Sequence, residues 1–288
     1  MYPILVRDQL SPNVTRLVVE APRIALIRQP GQFVIVRAHE GAERIPLTIA
    51  DGNAEAGTIT LIIQGIGKST EDLVALNVGD AIRDIAGPLG KPTELLEHGR
   101  AVCVGGGVGT AVILPIAQGL HGAGVNVTSI IGGRSREWVI LEEELRANGA
   151  VITCTDDGSY GRPGFVTQAL ADVLTNNRPD IVYAVGPVPM MRAVVELTRA
   201  AEVPTVVSLN PIMVDGTGMC GGCRVSVGGR TMYACVDGPE FDGLQVDFSE
   251  LSDRLSTYRD FERAAIEARH CLVRRDEPVA RSQPVGAA

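Results

Sequence analysis

The 288-residue sequence is short of several things, and each shortage narrows what it does. No run of apolar residues approaches the about eighteen that a membrane span takes. The opening MYPILVRDQLSPNVTRL lacks the long apolar core of a secretory signal. These two absences lead to the expectation of a cytoplasmic protein that needs no membrane. Lysine is nearly missing: among 26 basic residues only Lys68 and Lys91 are lysines, a skew that carries little functional weight. A net charge of -8 argues against a general nucleic-acid surface. The four histidines, His39, His98, His121 and His270, are scattered and suggest neither an imidazole metal cluster nor a catalytic triad.

Cysteine is short by one. Cys220 and Cys223 form a C-x2-C, and Cys235 follows after eleven residues, but no fourth cysteine lies nearby. Six cysteines without a secretory signal point to a reducing compartment, where grouped thiols serve as metal ligands or redox centres. Plant-type 2Fe-2S sites use C-x4-C-x2-C and a more distant cysteine. Here Asp215 stands where the first cysteine would, giving Asp215-x4-Cys220-x2-Cys223-x11-Cys235. A carboxylate can ligate iron, and Gly216, Gly218, Gly221 and Gly222 allow backbone to wrap the sulfurs. Zinc, which accepts three thiolates and a carboxylate tetrahedrally, and a simple dithiol remain as alternatives. The spacing favours the iron–sulfur site. Cys103 and Cys154 lie in strand-like runs and read as core packing, and Cys271 as an inert thiol of the tail.

What is present falls into successive textures. Residues 1–97 carry short β-branched runs bounded by Gly, Pro, Asn or Asp, such as GQFVIVRA and GTITLIIQ. One helix interrupts them, with Ser69 or Thr70 as its cap, so about six strands and a helix predict a small antiparallel β-barrel. Residues 98–208 alternate strand-like runs with helical segments at 109–123, 136–148, 164–175 and 188–200. That alternation predicts βαβ units and an α/β parallel-sheet domain. Residues 209–250 hold the cysteines, and 251–288 begin as an amphipathic helix and end as a Pro/Ala/Arg tail expected to be disordered.

Three loops would meet on one edge of that parallel sheet. AVCVGGGVGTA ends a strand in Gly105, Gly106, Gly107, Val108, Gly109 and Thr110 and opens a helix, an arrangement that lets backbone N–H groups reach a pyrophosphate. GPVPMM supplies Gly186, Pro187 and Met190, and TDDGSYGRPG supplies Asp156 and Asp157. Ligands bind such sheets at the carboxyl ends of the strands, so nucleotide binding is expected. The second strand ends in IGGRS without an acidic residue for a ribose hydroxyl; Arg134 there suits a 2′-phosphate or stacks on adenine, which leaves NAD and NADP both open.

RIPLTIAD, GIGKST, GPLGKP, GGGVGTA, DDGSYGRPGFVT, GPVPMM and SLNPIMVDGTGMCGGCRV together resemble the ferredoxin reductase superfamily over nearly the whole chain. Within it they look most like the small subunits of NADH-dependent reduced ferredoxin:NADP oxidoreductase, an electron-bifurcating transhydrogenase. The dihydroorotate dehydrogenase electron-transfer subunits and sulfide dehydrogenase subunits are relatives. The resemblance implies a barrel that binds FAD, a domain for NAD(H) with NADP(H) not excluded, and a 2Fe-2S segment. It places the flavin near Arg44, Pro46, Leu47, Thr48, Gln64, Gly67, Lys68, Ser69 and Thr70, with Thr48 beside the reactive edge as the catalytic position. Asp215, Cys220, Cys223 and Cys235 become the cluster ligands; the aspartate favours the ferredoxin:NADP enzyme, because dihydroorotate dehydrogenase subunits carry four cysteines. One departure stands out. The superfamily arginine is expected three residues before Thr48, where Ile45 sits, and Arg44 lies one step earlier. A one-residue step reverses a strand side chain unless a bulge restores it.

The implied chemistry is hydride exchange between NAD(H) and FAD, then single electrons through the cluster to a larger flavin and iron–sulfur catalytic subunit, with ferredoxin engaged through that complex. The alternatives are an electron-transfer subunit for dihydroorotate or sulfide dehydrogenase, and a non-redox nucleotide-binding module stapled by zinc.

Overall fold

The computed structural model describes residues 1–276, with side chains as far as Arg269. The barrel is built from β1 (Tyr2–Ser11), β2 (Val14–Glu20), β3 (Phe33–Arg37), β4 (Ile45–Asn53), β5 (Thr58–Gln64), β6 (Ala81–Ile82) and β7 (Asp84–Leu89). Alternation decides its inside. On β5, Ile59, Leu61 and Ile63 point into the barrel core with Leu17 and Val19 of β2 and Val34 and Val36 of β3. The antiparallel order is β6-β1-β2-β5-β4-β3-β7, and the two edge strands are consecutive in the chain, so the sheet nearly closes on itself.

Two helices interrupt the barrel rather than one: α1 (Pro22–Ile27) and α2 (Lys68–Val74). The cap of α2 is Gly67, not Ser69 or Thr70. Thr70 sits inside the first turn, and its Oγ1 accepts hydrogen bonds from Ile66 N–H (3.1 Å) and Gly67 N–H (2.9 Å). A threonine three positions into a helix closes the turn as well as one at its cap, which is why the start was read too late.

The second sheet holds β8 (Arg100–Gly106), β9 (Asn126–Gly133), β10 (Ala150–Thr155), β11 (Arg162–Pro163), β12 (Ile181–Val185) and β13 (Thr205–Ser208), all parallel. Between them run α3 (Thr110–Gly122), α4 (Glu142–Arg146), α5 (Val166–Asn176) and α6 (Val188–Ala200). The order β11-β10-β9-β8-β12-β13 reverses direction between β8 and β12, a topological switch point. The helix expected over 136–148 is shorter. Only a 3-10 turn at Arg136–Trp138 and α4 form, because Leu141 between them takes a left-handed φ of 59°.

The cysteine segment forms a hairpin of β14 (Arg224–Val227) and β15 (Arg230–Tyr233), then β16 (Glu240–Asp242), which adds antiparallel to β13 and so joins the nucleotide sheet. Asp247 caps α7 (Phe248–Ser256) through Ser249 N–H and Glu250 N–H, and α8 (Arg259–Asp276) follows. Arg269 of α8 reaches back to the barrel, pairing with Glu71 (2.8 Å) and Asp72 (2.7 Å) of α2. The expectations for residues 277–288 and for the Cys271 side chain lie outside the described residues. No helix among the described residues is long and apolar enough to cross a membrane.

Candidate functional site

The two glycine loops meet at the switch point. A Cβ on Gly109 would lie 2.2 Å from Val185 O and 3.0 Å from Gly186 Cα, so only glycine lets the turn after β8 pass the end of β12. A Cβ on Gly106 would strike Met190 Sδ at 2.4 Å and Pro187 Cδ at 3.3 Å. Gly105 to Thr110 and Gly186 to Met190 therefore form one cradle that a side chain would fill, which suits a pyrophosphate. The third loop sits beside Arg134: Asp156 N–H donates to Gly133 O and Asp157 N–H to Arg134 O, both at 3.1 Å. Arg134 stacks on Trp138 at 5.6 Å and Arg136 on Tyr160 at 5.2 Å. Beside them opens a groove of about 520 Å³ lined by Leu10, Ser135, Arg136, Asp157 and Ser159. Two hydrogen bonds from Ser159, N–H and hydroxyl between them, hold the Asp157 carboxyl below the usual carboxylate range.

The barrel presents its outer face to this domain. Cross-strand partners share a face, and Thr48 lies opposite Phe33, and Pro46 opposite Ile35. Phe33 and Ile35 belong to the core shared with the nucleotide sheet and cysteine segment, while Ile45 and Leu47 turn into the barrel. Thr48 and Pro46 thus face outward, toward the nucleotide domain. Helix α3 packs on β4, and the turn at Gly107–Gly109 lies against β5. No register shift separates β3 from β4 between Ile45 and Thr48, and Arg44 lies just ahead of the strand. The Asp215 carboxyl is held below the usual carboxylate range chiefly by hydrogen bonds from Thr217 and Met219, with a smaller contribution from the Arg44 charge. Elsewhere on the barrel, Gln64 Nε2 donates to Asn13 Oδ1 (3.4 Å), Ser69 Oγ to Glu43 Oε2 (2.9 Å), and Lys68 turns to Asp72 (3.5 Å).

The cysteine spacing has a structural cause. Between Cys223 and Cys235 lie the four residues of β14, a Gly228-Gly229 turn with both φ positive, the four of β15, and Ala234. Such a two-residue turn matches strand twist and fixes the register. Cys223 and Cys235 consequently sit at the open end of the hairpin with sulfurs 3.2 Å apart. The other two candidate ligands come from the loop before it. Cys220 Sγ accepts backbone N–H groups of Gly222, Asp215 and Val214, which depress its pKa, and Asp215 is close enough for its charge to oppose that shift. Cys235 is pushed the other way, to about 12, by burial and by Cys223, while Gly218 N–H donates to it. Among the described residues no three His, Cys, Asp or Glu side chains gather round one metal-ion point. A 2Fe-2S cluster divides its ligands two to each iron. The pairs Asp215–Cys220 and Cys223–Cys235, wrapped by N–H donors, fit it.

This loop is seated on the outer barrel face. A Cβ on Gly216 (φ 83°) would lie 2.7 Å from Leu89 Cδ1 and 2.8 Å from Ile35 Cγ1, so the glycine allows the loop to lie directly on β3 and β7. The cysteine loop and Thr48 therefore share one surface of the barrel. Reading the sequence alone missed Phe33 and Ile35 as that seat, and missed Thr217, whose hydroxyl donates to Asp215 Oδ2 at 2.7 Å. The Asp-Gly-Thr-Gly order is an Asx-turn pattern and contained that signal.

The iron-sulfur cluster binding domain of dihydroorotate dehydrogenase B matches residues 210–247. A dihydroorotate dehydrogenase B (NAD(+)) electron transfer subunit homolog of Thermotoga maritima is 44% identical over 92% of this chain and 94% of its own. The dihydroorotate dehydrogenase B electron transfer subunit of Bacillus caldolyticus is 38% identical over 76% and 87%. A chain of the NADH-dependent reduced ferredoxin-NADP oxidoreductase structure superposes with a TM-score of 0.89 at 42% identity, covering 93% of this chain and 97% of that one. With relatives 44% and 38% identical over 92% and 76% of its length, the chain belongs to the family of dihydroorotate dehydrogenase B electron-transfer subunits and their homologues.

Proposed function

We propose that this chain is the FAD, NAD(H) and 2Fe-2S binding electron-transfer subunit of a larger oxidoreductase, working as in bifurcating NADH-dependent reduced ferredoxin-NADP oxidoreductase. The observation that carries the reading is the seating of the Asp215 loop on the barrel face that bears Thr48, through the close approach of Gly216 to Ile35 and Leu89. When bound, FAD supplies hydride exchange with a nicotinamide on one side and one-electron exchange with the cluster on the other. The protein's part is positioning. Thr48 and Pro46 present a hydroxyl and an apolar ring to the flavin, while Gly67, Lys68, Ser69 and Thr70 meet its phosphates at the start of α2. Gly105 to Thr110 and Gly186 to Met190 cradle the dinucleotide and aim it at β4 across the α3 contact. Phe33 and Ile35 exclude water between the barrel face and the cysteine loop. Asp215 and Cys220 would hold one iron of the cluster, and Cys223 and Cys235 the other. Hydride transfer needs no general acid or base, which agrees with a site assembled from glycines and hydroxyls.

The partner is a larger flavin and iron–sulfur subunit that takes electrons from the exposed Cys220 side. A second reading, electron delivery to a dihydroorotate dehydrogenase catalytic subunit, is favoured by the names of the Thermotoga and Bacillus relatives; Asp215 in place of a fourth cysteine favours the first. A visible and EPR spectrum of the purified chain, with metal analysis, tests the cofactor set. Flavin absorption with about two irons per chain is expected, and a colourless zinc protein would refute the proposal. NADPH formation from NADH and reduced ferredoxin by the co-purified complex separates the two partners; dihydroorotate oxidation in its place would select the second reading.

A further inference from the structure

Asp215 Oδ2 accepts three hydrogen bonds: from Thr217 N–H at 2.9 Å, from Thr217 Oγ1 at 2.7 Å and from Met219 N–H at 3.1 Å. A carboxylate oxygen offers about two lone pairs, so Oδ2 is fully engaged and metal ligation falls to Oδ1. The Thr217 hydroxyl makes the shortest of these bonds and is the one contribution that comes from a side chain. The two backbone donors suffice to form the turn. The hydroxyl is surplus to that geometry and adds a charge-assisted bond to the ligand itself.

We infer that Thr217 is a positioning residue for the cluster: its hydroxyl holds the Asp215 carboxylate in a one-oxygen ligating pose and tempers the donor strength of that ligand. This rests on Asp215 being an iron ligand. Hydrogen bonds to ligating carboxylates orient them and tune the metal, and losing one costs about 10–100-fold in metal affinity. A donor on Oδ2 draws electron density from the carboxylate and makes the cluster easier to reduce. Removing it therefore makes the potential more negative, in addition to loosening the cluster.

The test uses the full chain carrying its cofactors. Thr217→Val keeps the branched shape and both backbone donors and replaces the hydroxyl with a methyl; Thr217→Ser keeps the hydroxyl. Potentiometric titration followed by EPR, and the rate of iron release to a chelator, are the readouts. Thr217→Val is expected to show a more negative potential and about tenfold or faster release, and Thr217→Ser to match the parent. If Thr217→Val loses its cluster too fast to titrate, Thr217→Ala is titrated in its place. An unchanged potential in the hydroxyl-free variant overturns the inference, as does a Thr217→Ser variant equally displaced, which would assign the effect to packing. Asp215→Ala separates the layers. If it leaves the EPR g-values and the potential untouched, Asp215 is not a ligand and both readings fall; if it moves them while Thr217→Val does not, only the role of Thr217 falls.

Discussion

Glu240 is the group whose replacement tests the domain junction most directly. It begins β16, where the cysteine segment joins the nucleotide sheet, and its Oε1 accepts the Thr93 hydroxyl at 2.9 Å. Thr93 N–H in turn donates to Pro30 O at 2.9 Å, so one carboxyl links barrel, linker and sheet. Burial raises its pKa from 4.5 to about 7, against a smaller opposing effect of the Thr93 bond. The folded pKa lies above the unfolded one, so the stability this group contributes is complete below pH 4.5 and lost as pH rises to about 7. At about 1.36 kcal/mol per tenfold, and discounted for the side chain's partial exposure, that loss is about 1–3 kcal/mol. Glu240→Gln keeps the acceptor for Thr93 and removes the ionisation. The variant and the parent should therefore be closely matched at pH 5, with the variant more stable by that amount at pH 8, or by about 3–10 °C in Tm. Calorimetry of the cofactor-loaded chains at pH 5, 6, 7 and 8 measures it. A difference in Tm that stays constant across this range would refute the reasoning, because a lost hydrogen bond or cavity does not titrate.

Two further outcomes follow from the site. Asp215→Cys restores a thiolate, a stronger electron donor, and should lower the cluster potential by on the order of 100 mV; an unchanged or raised value in a redox titration would contradict the ligand role. Gly109→Ala places a methyl against Val185 O, backbone that yields only by opening the switch point. A strain of about 1–3 kcal/mol should weaken NADH binding about tenfold or more, read by titration against flavin fluorescence. Affinity within twofold of the parent would mean that the nucleotide does not use this cradle.

Both fold layers and the four candidate cluster ligands are legible in the sequence because each is written locally. Period-two alternation marks strands such as Thr58–Gln64, strand–helix alternation marks the parallel sheet, and Asp215-x4-Cys220-x2-Cys223 is a spacing within one loop. The start of α2 lies two or three residues earlier than expected because Thr70 closes the turn from inside the helix. The helix over 136–148 was overextended because the left-handed Leu141 has no signature that periodicity detects. The eleven residues before Cys235 were a bare count until the hairpin showed them to be a four-two-four turn followed by Ala234, which returns the Cys235 sulfur to Cys223.

By itself, then, the sequence determined the element types and the spacing of the glycine loops and of the candidate cluster donors, since these depend on residues near one another in the chain. Which of those parts meet was decided only by tertiary structure. The seating of Gly216 on Ile35 and Leu89 brings together residues more than a hundred positions apart, as does the charge of Arg44 beside Asp215. The same holds for the bond from Thr93 to Glu240 and the return of Arg269 to α2. Such contacts arise when the faces left over by local pattern are buried against one another, and no short-range signal encodes which two faces those will be.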